Sequence, residues 1–244
     1  MMGMIIRGFI SFIGILLLWN LIVILFALPP YILPTPYQVI LAFYNNFSLI
    51  FNNAIPTLTE TILGLIFGIT LGSIAALSLV FFKNLRHWLL PLLITSQAIP
   101  TFAIAPIIVI WLGYGMASKV ATTTILIFFP ITSALYDGLR NTNKNYLALA
   151  KTMSATKWRT FLFIRIPAAM PSFASGLRLA AVIAPIGAVI GEWVGASKGL
   201  GFLMINANAR MEIDLMFAAL IAIVLISLVL YFSIDKTLKY CIKW

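Results

Sequence analysis

Few side chains in this chain of 244 residues are equipped for covalent chemistry. It holds one histidine and one cysteine, His87 and Cys241. A metal site or an activated nucleophile needs a second group at a defined spacing, and neither residue has one. His87 stands beside Trp88 and reads as an interfacial imidazole. No GxxxxGK[ST] phosphate loop occurs, and GASKGLG at 195–201 has the wrong spacing. The remaining polar residues speak for recognition and movement. Arg178 lies inside an apolar run, where a charge is costly and by default functional. Its guanidinium could attract an anionic solute, snorkel to headgroups or pair with Asp137. Gln97, among Pro91, Pro100 and Pro106, offers an amide to a solute or to a neighbouring helix. Glu192, near the end of another run, could gate a pathway or face water. The sequence predicts no catalytic residue, no metal and no cofactor.

A second kind of chemistry, that of a docking surface, is written between Tyr146 and Pro171: YLALAKTMSATKWRTFLFIRIPAAMP. Its charged residues, Lys151, Lys157, Arg159 and Arg165, are all basic. Small residues (Ala148, Ala150, Ser154, Ala155) alternate with large apolar ones. A polar, helix-capable segment between two apolar runs is shaped to be gripped from outside the bilayer.

The elements that position these residues are membrane helices. The chain is 62% hydrophobic and 9% charged, where a soluble domain carries about 25% charged residues. Apolar runs long enough to cross the hydrocarbon core, about 20 residues each, predict an all-α membrane protein with six spans. They cover about 9–28, 58–82, 88–112, 120–138, 168–190 and 215–234, with a polar loop at about 140–167. Together they form a single transmembrane domain over 1–244. Barrel strands would alternate apolar and polar residues, and these runs do not. The first run is longer than a signal-peptide core and has no small-x-small cleavage site.

The net charge of +10 is a topology signal, since the basic residues cluster in short loops beside apolar runs; a nucleic-acid footprint is not formed. With both termini in the cytoplasm, the inner side holds Arg7, Lys83, Arg86, Arg140, Lys144, Lys151, Lys157, Arg159, Arg165, Lys236, Lys239 and Lys243. The outer side holds Lys119, Lys198 and Arg210. That asymmetry predicts an N-in, C-in protein of the cell membrane. Between Tyr31 and Pro56 the spacing of Val39, Ile40, Phe43, Phe47 and Ile50 predicts a short amphipathic helix on the outer surface. Gly64, Gly68 and Gly72, and Gly187, Gly191 and Gly195, form GxxxG stripes that bring helices close. The prolines of the third, fourth and fifth spans are expected to kink them and make them candidates for a pathway lining.

These residues carry a resemblance. Ala148-Leu149-Ala150, Ser154 and Ile164-Arg165-Ile166-Pro167 resemble the Glu-Ala-Ala-x-x-x-Gly…Ile-x-Leu-Pro loop of the inner-membrane permeases of ABC importers. The spacing is kept, with six residues from Ala148 to Ser154 and thirteen from Ser154 to Pro167. Ala148, Ser154 and Ile166 depart from the pattern's Glu, Gly and Leu. SQAIPTFAIAPIIVIWLGYG, GAVIGEWVGASKGLGFLM and LPTPYQV resemble further segments of the nitrate, sulfonate and taurine-type permeases. Coverage runs from about Leu33 to the C-terminus.

The resemblance implies a type I importer permease whose loop forms a coupling helix seated on a separate ATP-hydrolysing subunit. Ala148, Ala150, Lys151, Ser154, Ala155, Lys157, Arg159, Ile164 and Pro167 would make that contact, and the basic ones could meet lipid instead. Thr156 could cap the loop's second arm. Two ATPase copies, a second permease copy and an extracytoplasmic solute-binding protein are the implied partners. Gln97, Pro100, Arg178 and Glu192 are the candidates for the solute path. The implied solute is a nitrate-, sulfonate- or taurine-like anion or a pyrimidine precursor of thiamine, moved inward by alternating access. A stand-alone transporter or channel is the alternative, and transport without an ATPase subunit would support it. An intramembrane enzyme would need a catalytic set that solitary His87 and Cys241 do not make.

Overall fold

The computed structural model describes the backbone of residues 2–242, with side chains from Ile10 onward except Phe12. The Arg7 side chain and Lys243 lie outside the described residues. Among these residues every regular element is a helix. The chain forms two compact units, one of Met1–Pro56 with Ser197–Val224 and one of Thr57–Ala196 with Leu225–Trp244.

In the first unit, helix α1 (Met2–Leu25) ends ahead of Pro29-Pro30, which cannot continue it. Helix α2 (Pro36–Asn45) starts from a capping box, with Thr35 Oγ1 accepting from the Gln38 amide and Gln38 Oε1 from the Thr35 amide at 2.8 Å. The first turns of α3 (Phe47–Phe81) follow directly. Helix α10 (Leu200–Ala209) and the start of α11 (Ile213–Cys241) complete this unit. The Gly199 amide, just before α10, donates to Asn53 Oδ1 at 2.9 Å, and Trp19 packs on Phe217 with ring centroids 5.4 Å apart.

The second unit is built around α6 (Met116–Arg140), which lies between the rest of α3 and α9 (Ile166–Gly195). Both glycine stripes face α6, except that Gly195 meets Tyr114 just ahead of it. A Cβ on Gly64 would collide with the Thr123 side chain, and one on Gly187 would lie 2.7 Å from Thr123 Cα. Thr123 is thus clamped from both sides, a separation only glycine permits. Thr132 Oγ1 adds a bond to the Gly72 carbonyl at 3.2 Å. Helices α4 (Lys83–Ser96) and α5 (Thr101–Leu112) form a pair bent by 105°. Helix α7 (Lys144–Thr152), α8 (Lys157–Thr160) and a π-helical turn at Phe161–Arg165 link α6 to α9.

Four helical stretches, Phe47–Phe81, Met116–Arg140, Lys157–Gly195 and Ile213–Cys241, are long and apolar enough to cross a membrane. The bent α4–α5 pair makes a fifth if it counts as one span.

The structure redraws three features. The predicted third span is two helices, broken between Ser96 and Thr101. Helices α6 and α9 run on through Pro130, Pro171 and Pro185, so proline density marked a break in one span alone. Finally, Phe47 and Ile50 belong to α3, so the amphipathic helix ends at Asn45.

Candidate functional site

The loop between α6 and α9 folds as its side chains dictate. Helix α7 closes with a Schellman arrangement: the Ser154 amide donates to the Lys151 carbonyl at 3.0 Å and the Ala155 amide to the Ala150 carbonyl at 2.9 Å. That closure needs a left-handed residue at its centre, and Ser154 supplies it at φ 54°. Glycine would adopt this without a Cβ penalty. Ser154→Gly is therefore expected to raise stability by about 0.5–1 kcal/mol, seen as a higher Tm of the purified protein; an unchanged Tm would mean that no strain is held there.

Thr156 Oγ1 then accepts from the Arg159 amide and opens α8, as the sequence predicts. Pro167 cannot donate to Phe163 and its ring would strike that carbonyl, so the chain widens into the π-helical turn just ahead of it. Phe161 in this turn is buried, 4.8 Å centroid to centroid from Phe81 and 5.9 Å from Trp158. It shares a core with Leu79, Leu135, Leu139 and Ala169. The loop is thereby fixed to α3, α6 and α9.

Its outer face is different. Tyr146, Leu149, Met153, Trp158 and Phe163 are exposed, and so are Ala148, Lys151, Ser154, Lys157, Arg159 and Pro167. Ala150 is buried, and Ala155 and Ile164 are half-buried. A concavity of about 310 Å³ is lined by Leu149, Met153, Ser154, Arg159 and Phe163.

A separate cavity of about 340 Å³ opens at the α4–α5 break. Ser96, Gln97, Ile99 and Thr101 of the break face Leu71 of α3 and Thr124 and Phe128 of α6 across it. Its lining contains no ionisable side chain. Ser96 and Thr124 use their hydroxyls on their own helices, at Leu93 and Val120. The Gln97 amide is committed to no partner among the described residues. Pro100 is the N-cap of α5, in extended geometry at φ −61° and ψ 128°. Of the other pathway candidates, neither Arg178 nor Glu192 lines this cavity.

Arg178 is held elsewhere. Its Nε donates to Asp235 Oδ1 at 2.8 Å, and Lys239 Nζ lies 2.6 Å from Asp235 Oδ2. Its partner is thus Asp235 on α11 in place of Asp137. Glu192 is buried at 1% exposure and accepts from Thr57 Oγ1 at 2.6 Å. It belongs to a buried polar group at the far end of α6 from the loop. There Lys119 Nζ lies 3.9 Å from Glu60 Oε1 and donates to the Tyr114 and Gly115 carbonyls at 3.1 and 3.2 Å.

Sequence reasoning missed Thr57, Glu60 and Thr61. A signal existed: Thr57, Glu60, Thr61 and Gly64 recur at the spacing of one helix face, so the glycine stripe continues as a polar one.

Comparison with known proteins agrees with this architecture. The family described as "Binding-protein-dependent transport system inner membrane component" matches residues 68–240. A probable ABC transporter permease protein of Haemophilus influenzae is 53% identical over 91% of this chain and 90% of its own length. The formylaminopyrimidine transport permease protein ThiX of Halalkalibacterium halodurans is 38% identical over 88% of this chain and 86% of its own. A chain of the inward-facing MetNI methionine ABC transporter superposes with a TM-score of 0.68 at 16% identity, covering 80% of this chain and 97% of that one; this likeness speaks for the fold alone. The chain therefore belongs to the inner-membrane components of binding-protein-dependent ABC transporters, as a multi-pass membrane permease and not an enzyme, in a family that works with an ATP-binding subunit and a solute-binding protein.

Proposed function

We propose that this chain is one of two identical permease subunits of an importer, with six spans, both termini cytoplasmic, and the 140–167 loop docked on an ATP-hydrolysing subunit. The observation that supports this most is the double character of the loop. Its inner face is locked by Phe161 into the core that α3, α6 and α9 share, while Leu149, Met153, Trp158 and Phe163 stand exposed beside Lys151, Lys157 and Arg159. Exposed apolar patches rimmed by polar residues mark interaction sites. A partner that grips this face and moves on closing about ATP displaces Phe161 with it. Through Phe161 the push reaches α6 and α9, and the pathway alternates between inward-open and outward-open states.

The solute we infer is an uncharged, hydrogen-bonding heteroaromatic molecule of the pyrimidine-precursor type. An anion would need a positive group in the cavity, and Arg178 is engaged by Asp235 outside it. The uncharged lining around Gln97 suits a flat solute read by an amide, and ThiX, which matches over most of both chains, is named for a formylaminopyrimidine.

Uptake into proteoliposomes that contain the ATPase and binding protein tests the reading. Pyrimidine uptake is expected to outcompete sulfonate uptake, and Gln97→Leu to lower it about tenfold by removing an amide hydrogen bond. Preference for the sulfonate, or full uptake without the ATPase, would overturn it.

A further inference from the structure

A second pocket lies further along the same cleft, toward the loop. It measures about 230 Å³ and is bounded by Leu79 of α3, Leu90, Leu93 and Ile94 of α4, and the last turns of α6. Leu93, itself buried, is the one described residue that lines both this pocket and the 340 Å³ cavity. Down α6 the linings follow in order, from Thr124 to Phe128 in the cavity and from Phe129 to Arg140 in the pocket.

Unlike the cavity, the pocket is strongly polar on its α6 side. Thr132, Ser133, Tyr136, Asp137 and Arg140 all line it. Tyr136 is only 3% exposed, and its hydroxyl is buried with no hydrogen-bond partner in the described structure. A phenol hidden this way gives up hydrogen bonds to water and regains none from the protein, which is unfavourable unless something else arrives to take the bond. Asp137 receives one bond, from Ser133 Oγ at 3.1 Å, and a carboxylate can accept several. Arg178 of α9 is not a partner for Asp137, since that guanidinium sits on Asp235.

We propose that this pocket is a second solute-binding site on the cytoplasmic side of Leu93, selective for a small heteroaromatic ring that carries an amino group beside a ring nitrogen. The Tyr136 hydroxyl donates to the ring nitrogen, and Asp137 accepts from the amino group. The apolar walls at Leu79, Leu90 and Phe129 cover the ring faces. Such an edge presents a donor and an acceptor side by side, the complement of what Tyr136 and Asp137 offer. Asp137 and Arg140 both line the site, so its selectivity rests on hydrogen bonding and not on net charge, and it adds an amino-group requirement that the uncharged cavity around Gln97 does not impose. Sequential occupation of cavity and pocket, with Leu93 as the partition, gives an imported solute a place to pause before release.

This inference rests on the reading of the chain as an importer permease, and its test separates the two. The assembled permease–ATPase complex in lipid nanodiscs, without binding protein or nucleotide, is titrated with 4-amino-2-methylpyrimidine, with 2-methylpyrimidine and with benzenesulfonate. The aminopyrimidine is expected to bind at least about tenfold more tightly than either of the others, from one charge-assisted bond. Tyr136→Phe, which keeps the ring and its packing, is expected to weaken it about three- to tenfold, and Asp137→Asn about tenfold or more. Gln97→Leu, in the other cavity, should leave this difference between the probes in place. Equal binding of the three probes, or unchanged aminopyrimidine affinity in both Tyr136→Phe and Asp137→Asn, overturns the second site while leaving ATP-driven uptake standing. Failure of the complex to assemble or to transport overturns the importer reading itself.

Discussion

The double substitution Leu149→Asp, Met153→Asp is expected to abolish co-purification of the ATPase subunit and, with it, ATP-driven uptake. Both side chains stand on the outer face of the loop, with 57% and 73% of their surface exposed, so replacing them costs the permease fold little. In an interface, large apolar anchors in a concave patch carry a disproportionate share of the affinity, about 2 kcal/mol or more each. Two of them replaced by carboxylates, facing a rim the permease complements with Lys151, Lys157 and Arg159, should lower affinity at least about a thousandfold. The measurement is pull-down and vesicle uptake on the same preparation, with the Tm of the isolated permease as the control. Intact binding with both aspartates in place would mean that the ATPase docks elsewhere.

The second large effect concerns the buried group at the opposite end of α6. Lys119 and Glu60 expose 7% and 4% of their side chains, and Glu192 lies beside them with Thr57 as its donor. Removing one member of a buried ion pair costs about 3–5 kcal/mol because the other charge is left without compensation. Lys119→Met is expected to fall in this range. Adding Glu60→Gln should restore part of the loss, since it removes one of the two buried carboxylates, Glu192 being the other, and keeps a side chain of the same shape. Thermal unfolding of the three variants in detergent gives the cycle. An additive double variant would show that the two groups do not interact, and a Lys119→Met protein as stable as the parent would show that the cluster does not hold α3, α6 and α9 together.

The helices of this chain were largely legible because a bilayer-length apolar run leaves few options to the backbone. The loop was legible too. The resemblance of the segment from Ala148 to Pro167 implies a coupling helix with a second arm opened by Thr156, and the structure has two helices there, with a left-handed Ser154 between them and Thr156 capping the second. The α4–α5 break was only half legible. Pro91, Pro100 and Pro106 look alike locally, yet the helices continue through Pro91 and Pro106 and stop at Gln97–Pro100, because the surrounding helices and not the proline decide where a freed carbonyl is tolerated. Contacts between distant positions were not legible. Arg178 lies 57 residues from Asp235 and Thr57 lies 135 from Glu192. No local pattern announces such a pair, and the sequence alone leaves Asp137 as a candidate partner for Arg178.

The most direct test of the loop's role places a single cysteine at Met153 in a Cys241→Ser background. A membrane-impermeant maleimide is applied to right-side-out and inside-out vesicles, with and without the ATPase subunit. Labelling from the cytoplasmic face alone, blocked when the ATPase is bound, is the expected result. Labelling from the exterior, or labelling indifferent to the ATPase, contradicts a loop through which ATP hydrolysis drives import.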